Sequence, residues 1–247
     1  MFAIDEVDDA VAGGPDRVAV AGGDGSLAPV AAAAGDAGVA LAVIPAGTAN
    51  DFADRLRLPT DLGEAAALAV RGERTRRLDL GRMNGRPFVN VAGAGLAPVA
   101  ARNAGALKGA LGPFAYLAGA VRAGLGADPV RCTVTCDGTE LFSGDAWQAT
   151  VACSGAFGAG SRVEADPADG RLDASVIEAG PRRALLRAAY GLRRGRLAPQ
   201  PGVHTARGRA IEVIGDGELS FNVDGEVTTA RSPQFRVDPR AFEVVVP

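Results

Sequence analysis

The chain has 247 residues, of which 47% are hydrophobic and 22% are charged, with a formal net charge of -3. This length and apolar content suffice for one large domain or two smaller ones, and they argue against intrinsic disorder. The acidic balance argues against a general nucleic-acid-binding protein, which carries a basic footprint. No apolar run reaches the roughly 18 residues of a membrane-spanning helix, and the acidic residues 1–10 resemble no signal peptide.

The first third of the chain alternates buried strands with helices, a pattern that is typical of a parallel α/β layer. An apolar run at 17–21 predicts a strand, and a helix is expected from Leu27 to Ala34, with Pro29 in its first turn. A second buried strand is predicted at 39–44. The helices that follow are predicted from Thr48 to Leu56 and from 61 to about 70.

The rest of the chain shows short segments with period-two alternation, which predict antiparallel sheets. The pair Asp137-Gly138 is typical of a tight hairpin turn. The predicted strands are 88–91, 130–135, 140–142, 148–151, 174–177, 211–214 and 220–223, and further helices are predicted at 113–123 and 182–194. We therefore expect a parallel α/β lobe followed by a β-rich, mainly antiparallel lobe, with the boundary near Arg77.

The first predicted strand leads directly into a glycine-rich turn and then a helix. Residues 22–26 are Gly-Gly-Asp-Gly-Ser. Glycines let the backbone approach a phosphate closely, and a helix N-terminus supplies free N–H donors and the positive end of a dipole. Asp24 in this turn is suited to hold Mg²⁺ or its water shell. An ordinary turn between a strand and a helix is the alternative interpretation.

Two further turns carry polar side chains at the ends of strands. Residues 45–52, Pro-Ala-Gly-Thr-Ala-Asn-Asp-Phe, follow the second buried strand, at the edge where open α/β sheets bind ligands. Residues 221–226, Phe-Asn-Val-Asp-Gly-Glu, end a strand of the second lobe, and Glu226 is suited to accept the proton of an alcohol. The alternatives are that Thr48 or Asn50 is a plain helix N-cap, and that Asp-Gly is a plain hairpin turn.

Together these turns resemble those of the diacylglycerol kinase catalytic-domain superfamily, which also contains sphingoid-base kinases and, more remotely, NAD kinases. The similar segments are 22–26 to GGDGT, 45–52 to PxGTxNDF, 78–81 to LDLG, 88–93 to FxNxAG, 169–173 to DGxLD and 224–226 to DGE. They occur in the family's order across nearly the whole chain. Their form favours the bacterial lipid-kinase branch over NAD kinase.

The resemblance implies ATP-dependent phosphorylation of a lipid hydroxyl, with diacylglycerol as the first choice of substrate and phosphatidic acid as product. A sphingoid-base kinase, an NAD kinase, or a non-catalytic nucleotide- or lipid-binding remnant is the alternative. The implied catalytic residues are Glu226, as proton acceptor, and Asp24. The implied ATP-binding residues are Gly22, Gly23, Asp24, Gly25, Ser26, Thr48, Asn50 and Asp51. The implied Mg²⁺ site comprises Asp169 as direct ligand, backbone carbonyls of Asp166 and Arg171, and Asp79 in a carboxylate and water network.

The resemblance also implies how the chain is organised and where it acts. The first lobe, residues 1–77, is expected to bind nucleotide, with residues 235–247 returning to it. The second lobe, residues 78–234, is expected to be a mainly antiparallel β-sandwich that binds lipid. The βαβ unit with which family members usually begin is expected to be missing. Basic residues and leucines from Arg182 to Arg196 predict an amphipathic helix at an anionic membrane surface, or else a solvated helix packed on the sheet. We expect a cytoplasmic protein of phospholipid biosynthesis, peripheral at the inner face of the membrane, with homodimerisation left open.

Overall fold

The computed structural model describes residues 6–47, 49–99, 128–155, 165–181 and 200–247. The helices that lie entirely within these ranges are α1 (Val7–Ala12), α2 (Asp24–Ala37), α3 (Asp51–Leu56) and α4 (Leu62–Arg71), and residues 96–99 are also helical. The strands are β1 (Arg17–Gly22), β2 (Ala40–Pro45), β3 (Thr75–Met83), β4 (Arg86–Phe88), β5 (Val91–Gly95), β6 (Val130–Cys136), β7 (Thr139–Ala152), β8 (Leu172–Glu178), β9 (Val203–Gly208), β10 (Ala210–Gly215), β11 (Leu219–Val223), β12 (Glu226–Ala230) and β13 (Gln234–Val245).

The first lobe is a small parallel sheet with helices on both faces. β1 and β2 are parallel neighbours, and β13 extends the sheet where Val244 lies beside Leu41. Leu41 and Val43 share an apolar core with α2, whereas Ala42 packs with Ala69 of α4. Successive residues of a strand point to opposite faces, so β2 is apolar throughout because both of its faces are covered.

The second lobe is built from antiparallel strands. β10, β6, β7, β5, β11 and β12 are successive neighbours, and β8 and β9 continue from β7. Its core contains Phe88, Phe221 and Phe235, whose ring centroids lie 6.2 Å (Phe88 to Phe235) and 6.0 Å (Phe221 to Phe235) apart. The expected fold class, an α/β lobe followed by a mainly antiparallel β lobe, is confirmed.

Two long strands run through both lobes. Residues 75–78 of β3 pair with 242–245 of β13, and residues 80–83 pair with 235–238. The register of this pair shifts between Asp238 and Phe242, where the sheet passes from one lobe to the other. The expected division of the chain at residue 77 stays a prediction, because β3 crosses that position without a break.

Two predicted helix starts are wrong. α2 begins at Asp24 and not at Leu27, so that Pro29 is the sixth residue of the helix and lies beyond its first turn. A carboxylate in the first turn of a helix is favoured by the positive end of the helix dipole, which accounts for the earlier start. α3 begins at Asp51, three residues after the predicted start at Thr48.

Several predicted strands also differ from the observed ones. Segments 140–142 and 148–151 belong to the single strand β7, whose continuity is hidden in the sequence by the polar residues 143–145. The predicted strand 88–91 is interrupted between β4 and β5, because the amides of residues 89–91 bond to a side chain instead of a neighbouring strand. The strand β9, in which His204 lies opposite Val176, has no counterpart among the predicted strands.

Some expectations concern residues outside the described ranges. These are Thr48, the helix at 113–123, and the helix at 182–194 with the basic segment from Arg182 to Arg196. Among the residues that are described, the helices are too short or too polar for any of them to cross a bilayer.

Candidate active site

The two glycine-bearing turns of the first lobe lie against each other. We call residues 22–26 the glycine turn and residues 45–47 and 49–50 the amide turn. β1 and β2 end side by side, and the Ala46 N–H donates to the Gly22 carbonyl at 3.0 Å. A methyl group on Gly23 would lie 3.1 Å from the Cα of Gly47, and one on Gly47 would collide with the backbone of Gly23. Gly47 therefore requires glycine because of close backbone approach, whereas a side chain at Gly23 would be tight.

Asn50 fixes the shape of the amide turn. Its Oδ1 accepts the Gly47 N–H at 2.9 Å, and its Nδ2 donates to the Gly47 carbonyl at 3.0 Å. Asn50 has a φ of 53°, a left-handed conformation that asparagine tolerates better than most residues. It occupies the N-cap position of α3, but its side chain makes no capping bond there.

Asp24 supplies the missing cap from the other turn. Its Oδ2 accepts the Asp51 N–H at 3.1 Å, and its Oδ1 accepts the Phe52 N–H at 2.9 Å. The same Oδ1 accepts a third bond, from the Asn90 Nδ2 at 3.1 Å. Asp24 therefore joins the glycine turn to the start of α3 and to the second lobe, while its predicted catalytic and nucleotide-binding roles stay predictions.

The turn between β11 and β12 faces these elements from the second lobe. Asp224 and Gly225 have φ values of 47° and 96°, which identify the tight hairpin that the alternative interpretation of Asp-Gly expected. The Asp224 carboxylate accepts backbone N–H bonds from Val89 at 2.6 Å, Asn90 at 3.0 Å and Val91 at 2.9 Å. Burial raises the pKa of Asp224 to about 7, with a further contribution from Asp24, although the three amides act in the opposite direction.

Glu226 begins β12 directly beside the glycine turn. A methyl group on Gly25 would lie 3.7 Å from the Glu226 Oε1 and 3.6 Å from the Asp224 carbonyl oxygen. The other carboxylate oxygen of Glu226 pairs with the Arg86 Nη2 at 2.5 Å, and the Glu226 side chain is 62% exposed. The structure thus places the predicted base in an open position between the two lobes.

The carboxylates predicted to bind metal form a separate, backbone-rich cluster. Asp79 is 2% exposed, and its two oxygens accept N–H bonds from Gly170 at 2.6 Å and from Arg240 at 2.8 Å. Its own N–H donates to the Pro167 carbonyl at 2.7 Å. Asp79 therefore shapes the turn that carries Asp169.

The carboxylates of Asp166 and Asp169 are more exposed. Asp169 accepts the Arg171 N–H at 3.0 Å and pairs with Arg207 at 3.4 Å, while Asp166 pairs with Arg76 at 3.4 Å. Carboxylate and carbonyl oxygens are the ligands that Mg²⁺ prefers, so this turn offers the right type of ligand for the ion. Within the described ranges, however, no three His, Cys, Asp or Glu side chains are grouped as a metal site.

The site also contains Asn90 and Arg86, for which the sequence predicted no role. Asn90 stood inside the FxNxAG-like segment, so its motif was a usable signal. Arg86 contacts Glu226 across 140 positions of sequence, and nothing in the sequence near either residue indicates this pair.

A glycine turn at a helix N-terminus can bind phosphate, and an exposed carboxylate that faces it can accept the proton of an alcohol. This arrangement suits a phosphotransferase that acts on an alcohol, and comparisons with known proteins agree with that class. Residues 2–83 match the family model of the diacylglycerol kinase catalytic domain, and residues 90–246 match the YegS C-terminal NAD kinase beta sandwich-like domain. The chain belongs to the family of diacylglycerol kinases and YegS-like lipid kinases.

Individual relatives span most of the chain. It is 31% identical to a diacylglycerol kinase of Staphylococcus saprophyticus, over 85% of this chain and 70% of the relative. It is 30% identical to a protein of Pectobacterium atrosepticum named as lipid kinase YegS-like, over 98% of this chain and 81% of the relative. The crystal structure of a diacylglycerol kinase from Bacillus anthracis shares the fold, with a TM-score of 0.80 at 22% identity, over 100% of this chain and 84% of that one.

Proposed function

We propose that this lipid kinase transfers the γ-phosphoryl group of ATP to the hydroxyl group of diacylglycerol and so forms phosphatidic acid. The observation that carries the proposal is the approach of Glu226 to the glycine turn, with 3.7 Å between its Oε1 and a methyl position on Gly25. A nucleotide held by that turn would place its terminal phosphate near a carboxylate suited to take a hydroxyl proton. The relatives named as diacylglycerol kinases support the choice of substrate.

In this proposal the first lobe holds the nucleotide. The glycine turn and the N-terminus of α2 would bind the phosphates through backbone N–H groups, with the amide turn packed beside them. ATP-binding roles for Gly22, Ser26 and Asp51 rest on their places in or next to these turns. Asp24 would keep the two turns in register through its bonds to the amides of α3.

The second lobe would bind the lipid, which accepts the phosphoryl group, and would supply Glu226. The lipid hydroxyl oxygen attacks the γ-phosphorus, the bond from that phosphorus to the β–γ bridging oxygen breaks, and ADP leaves. The hydroxyl proton passes to the Glu226 carboxylate. Because phosphoryl transfer has a loose transition state, positioning and charge stabilisation contribute most, and proton removal contributes less.

Mg²⁺ is part of the proposal through the turn that contains Asp166, Asp169 and Arg171. When bound, the ion would neutralise phosphate charge. Asp169→Asn should then reduce the rise in melting temperature that Mg²⁺ produces in the presence of ATP. Asp238→Asn, which alters another surface carboxylate paired with an arginine, is the control and should keep that rise. An equal rise in both variants would place the metal elsewhere.

The substrate is tested with labelled ATP and separate mixed micelles of diacylglycerol or sphingosine, with NAD in solution as a third acceptor. Label on diacylglycerol alone, or far above the other two, is the expected result. Transfer to NAD alone would make the protein an NAD kinase, and preferential transfer to sphingosine would make it a sphingoid-base kinase. The absence of transfer with demonstrated ATP binding would favour the non-catalytic alternative.

Membrane contact through the basic segment from Arg182 to Arg196 stays a prediction, because that segment lies outside the described residues. Homodimerisation is likewise untested. Binding to vesicles with and without anionic lipid would test the first, and light scattering would test the second.

A further inference from the structure

A closed ring of hydrogen bonds joins the two lobes behind the candidate active site. Asp24 accepts N–H bonds from the start of α3. One turn later, α3 carries Arg55, whose Nε donates to the Ser154 carbonyl at 3.1 Å. The Ser154 hydroxyl donates to the Asn90 Oδ1 at 2.7 Å, and the Asn90 Nδ2 returns to Asp24 at 3.1 Å. We call this set of residues the interlobe ring.

Two members of the ring are buried, and its bonds are directional. Asn90 is 3% exposed and Ser154 is 1% exposed, so a broken bond would leave a polar group without water to replace its partner. Arg55 makes a second bond, from its Nη2 to the Ala165 carbonyl at 2.6 Å. Its guanidinium therefore holds two separate backbone positions of the second lobe from a helix of the first.

The backbone of Asn90 also bonds to the turn that precedes Glu226. Its N–H donates to the Asp224 carboxylate at 3.0 Å, and its carbonyl accepts the Cys153 N–H at 2.9 Å. The side chain of Asn90 thus contacts Asp24 of the glycine turn. Its main chain contacts Asp224, which lies two residues before Glu226. A shift of Asn90 would change the distance between these two turns.

We propose that Asn90 and Arg55 are positioning residues that set the distance between the nucleotide turns and Glu226. This inference rests on the proposed function for its kinetic consequence. A displacement of about 1 Å between reacting groups can lower the rate of an enzyme by about 10²-fold. Neither residue contacts the reacting atoms in this account, since both act through the backbone and side chains that they hold.

Two variants break the ring at different members. Asn90→Asp keeps the acceptor for Ser154 but replaces the donor to Asp24 with a negatively charged oxygen. Arg55→Gln is too short to hold both carbonyls. The matched controls are Gln148→Glu, at another buried amide of the second lobe, and Arg82→Gln, whose arginine bonds Asp238 and Gly85 without bridging the lobes.

The measurements are kcat and KM for ATP and for lipid, with the melting temperature of each variant. Both ring variants should lose about 10²-fold in kcat with a much smaller change in KM for ATP, whereas the controls keep kcat even where they lose as much thermal stability. If the kcat losses of the ring variants match those of the controls, the ring is merely structural and the proposal is wrong. Should Asn90→Asp fail to fold, Arg55→Gln decides by the same criteria.

Amide hydrogen exchange separates this proposal from the proposed function. In Arg55→Gln the amides of residues 89–91, which donate to Asp224, should exchange faster, although the hydrogen bonds of Arg55 go to the Ser154 and Ala165 carbonyls. Unchanged exchange at these amides would overturn the coupling. If the parent phosphorylates no lipid, the proposed function fails, and the exchange result alone decides whether the ring couples the two turns.

Discussion

Replacing Asp224 with asparagine removes the charge of a carboxylate that three backbone amides hold in place. The Oδ1 accepts from Asn90 and Val91, and the Oδ2 accepts from Val89. An asparagine side chain can keep the first two bonds, but its amide nitrogen then faces the Val89 N–H. An unpaired buried N–H group costs about 1–3 kcal/mol, which is the expected destabilisation wherever the parent carboxyl is protonated.

The pH dependence has a definite sign. Burial raises the pKa of Asp224 from 3.8 to about 7. The folded protein therefore binds more protons than the unfolded chain between these pH values, and the stability of the parent falls as pH rises through this window. That difference in pKa corresponds to a loss of stability of about 4 kcal/mol. The loss is absent below pH 4 and complete above pH 7. The asparagine variant does not have this dependence.

The two effects predict that the stability curves cross. At pH 4 the parent should be more stable than Asp224→Asn by about 1–3 kcal/mol, and at pH 8 the variant should equal or exceed the parent. Urea unfolding of both proteins at half-unit intervals of pH measures the difference, in which contributions from all other groups cancel. A difference that stays constant from pH 4 to pH 8 would refute the account of this buried carboxylate.

Three further predictions follow from the site and the core. Glu226→Gln should lower kcat by about 10²–10⁴-fold while ATP affinity measured by calorimetry stays at the parental value, and a near-parental kcat would assign the proton to another group. Gly47→Ala puts a methyl group 2.8 Å from the Asn50 Oδ1 and against Gly23, so it should weaken ATP binding, whereas Gly38→Ala, at an open helix end, should cost stability alone. Burial raises the pKa of all three cysteines, that of Cys132 to about 11, so Ellman's reagent should modify none of them at pH 8 until guanidinium is added. Immediate reaction of a thiol would contradict the described burial.

The parts of the site that depend on local sequence could be predicted. The glycine turn and the amide turn each follow a strand that is apolar on both faces, and turn chemistry and strand patterning act over a few residues. Their contact at Gly23 and Gly47 follows from the parallel pairing of β1 and β2. The hairpin at Asp137-Gly138 was predicted for the same reason, since both residues adopt positive φ values.

The contacts that join the lobes could not be predicted, because they connect positions that are far apart in the sequence. The residues next to each position do not indicate its partner. Asp24 caps α3 from 27 residues away, and Asp224 binds the amides of residues 89–91 from more than 130 residues away. The strand expected at 88–91 fails for this reason, since its amides are used by a side chain. The path of β3 and β13 through both lobes is likewise set by pairing over the length of the chain.

A crystal structure of this chain with a non-hydrolysable ATP analogue, Mg²⁺ and a short-chain diacylglycerol would show whether the two lobes bring phosphate and lipid together at Glu226. We expect phosphates bound at the glycine turn and the amide turn, with the terminal phosphate facing Glu226 and the lipid hydroxyl within hydrogen-bond distance of its carboxylate. Phosphates bound away from these turns, or a lipid hydroxyl that lies out of reach of Glu226, would contradict this expectation.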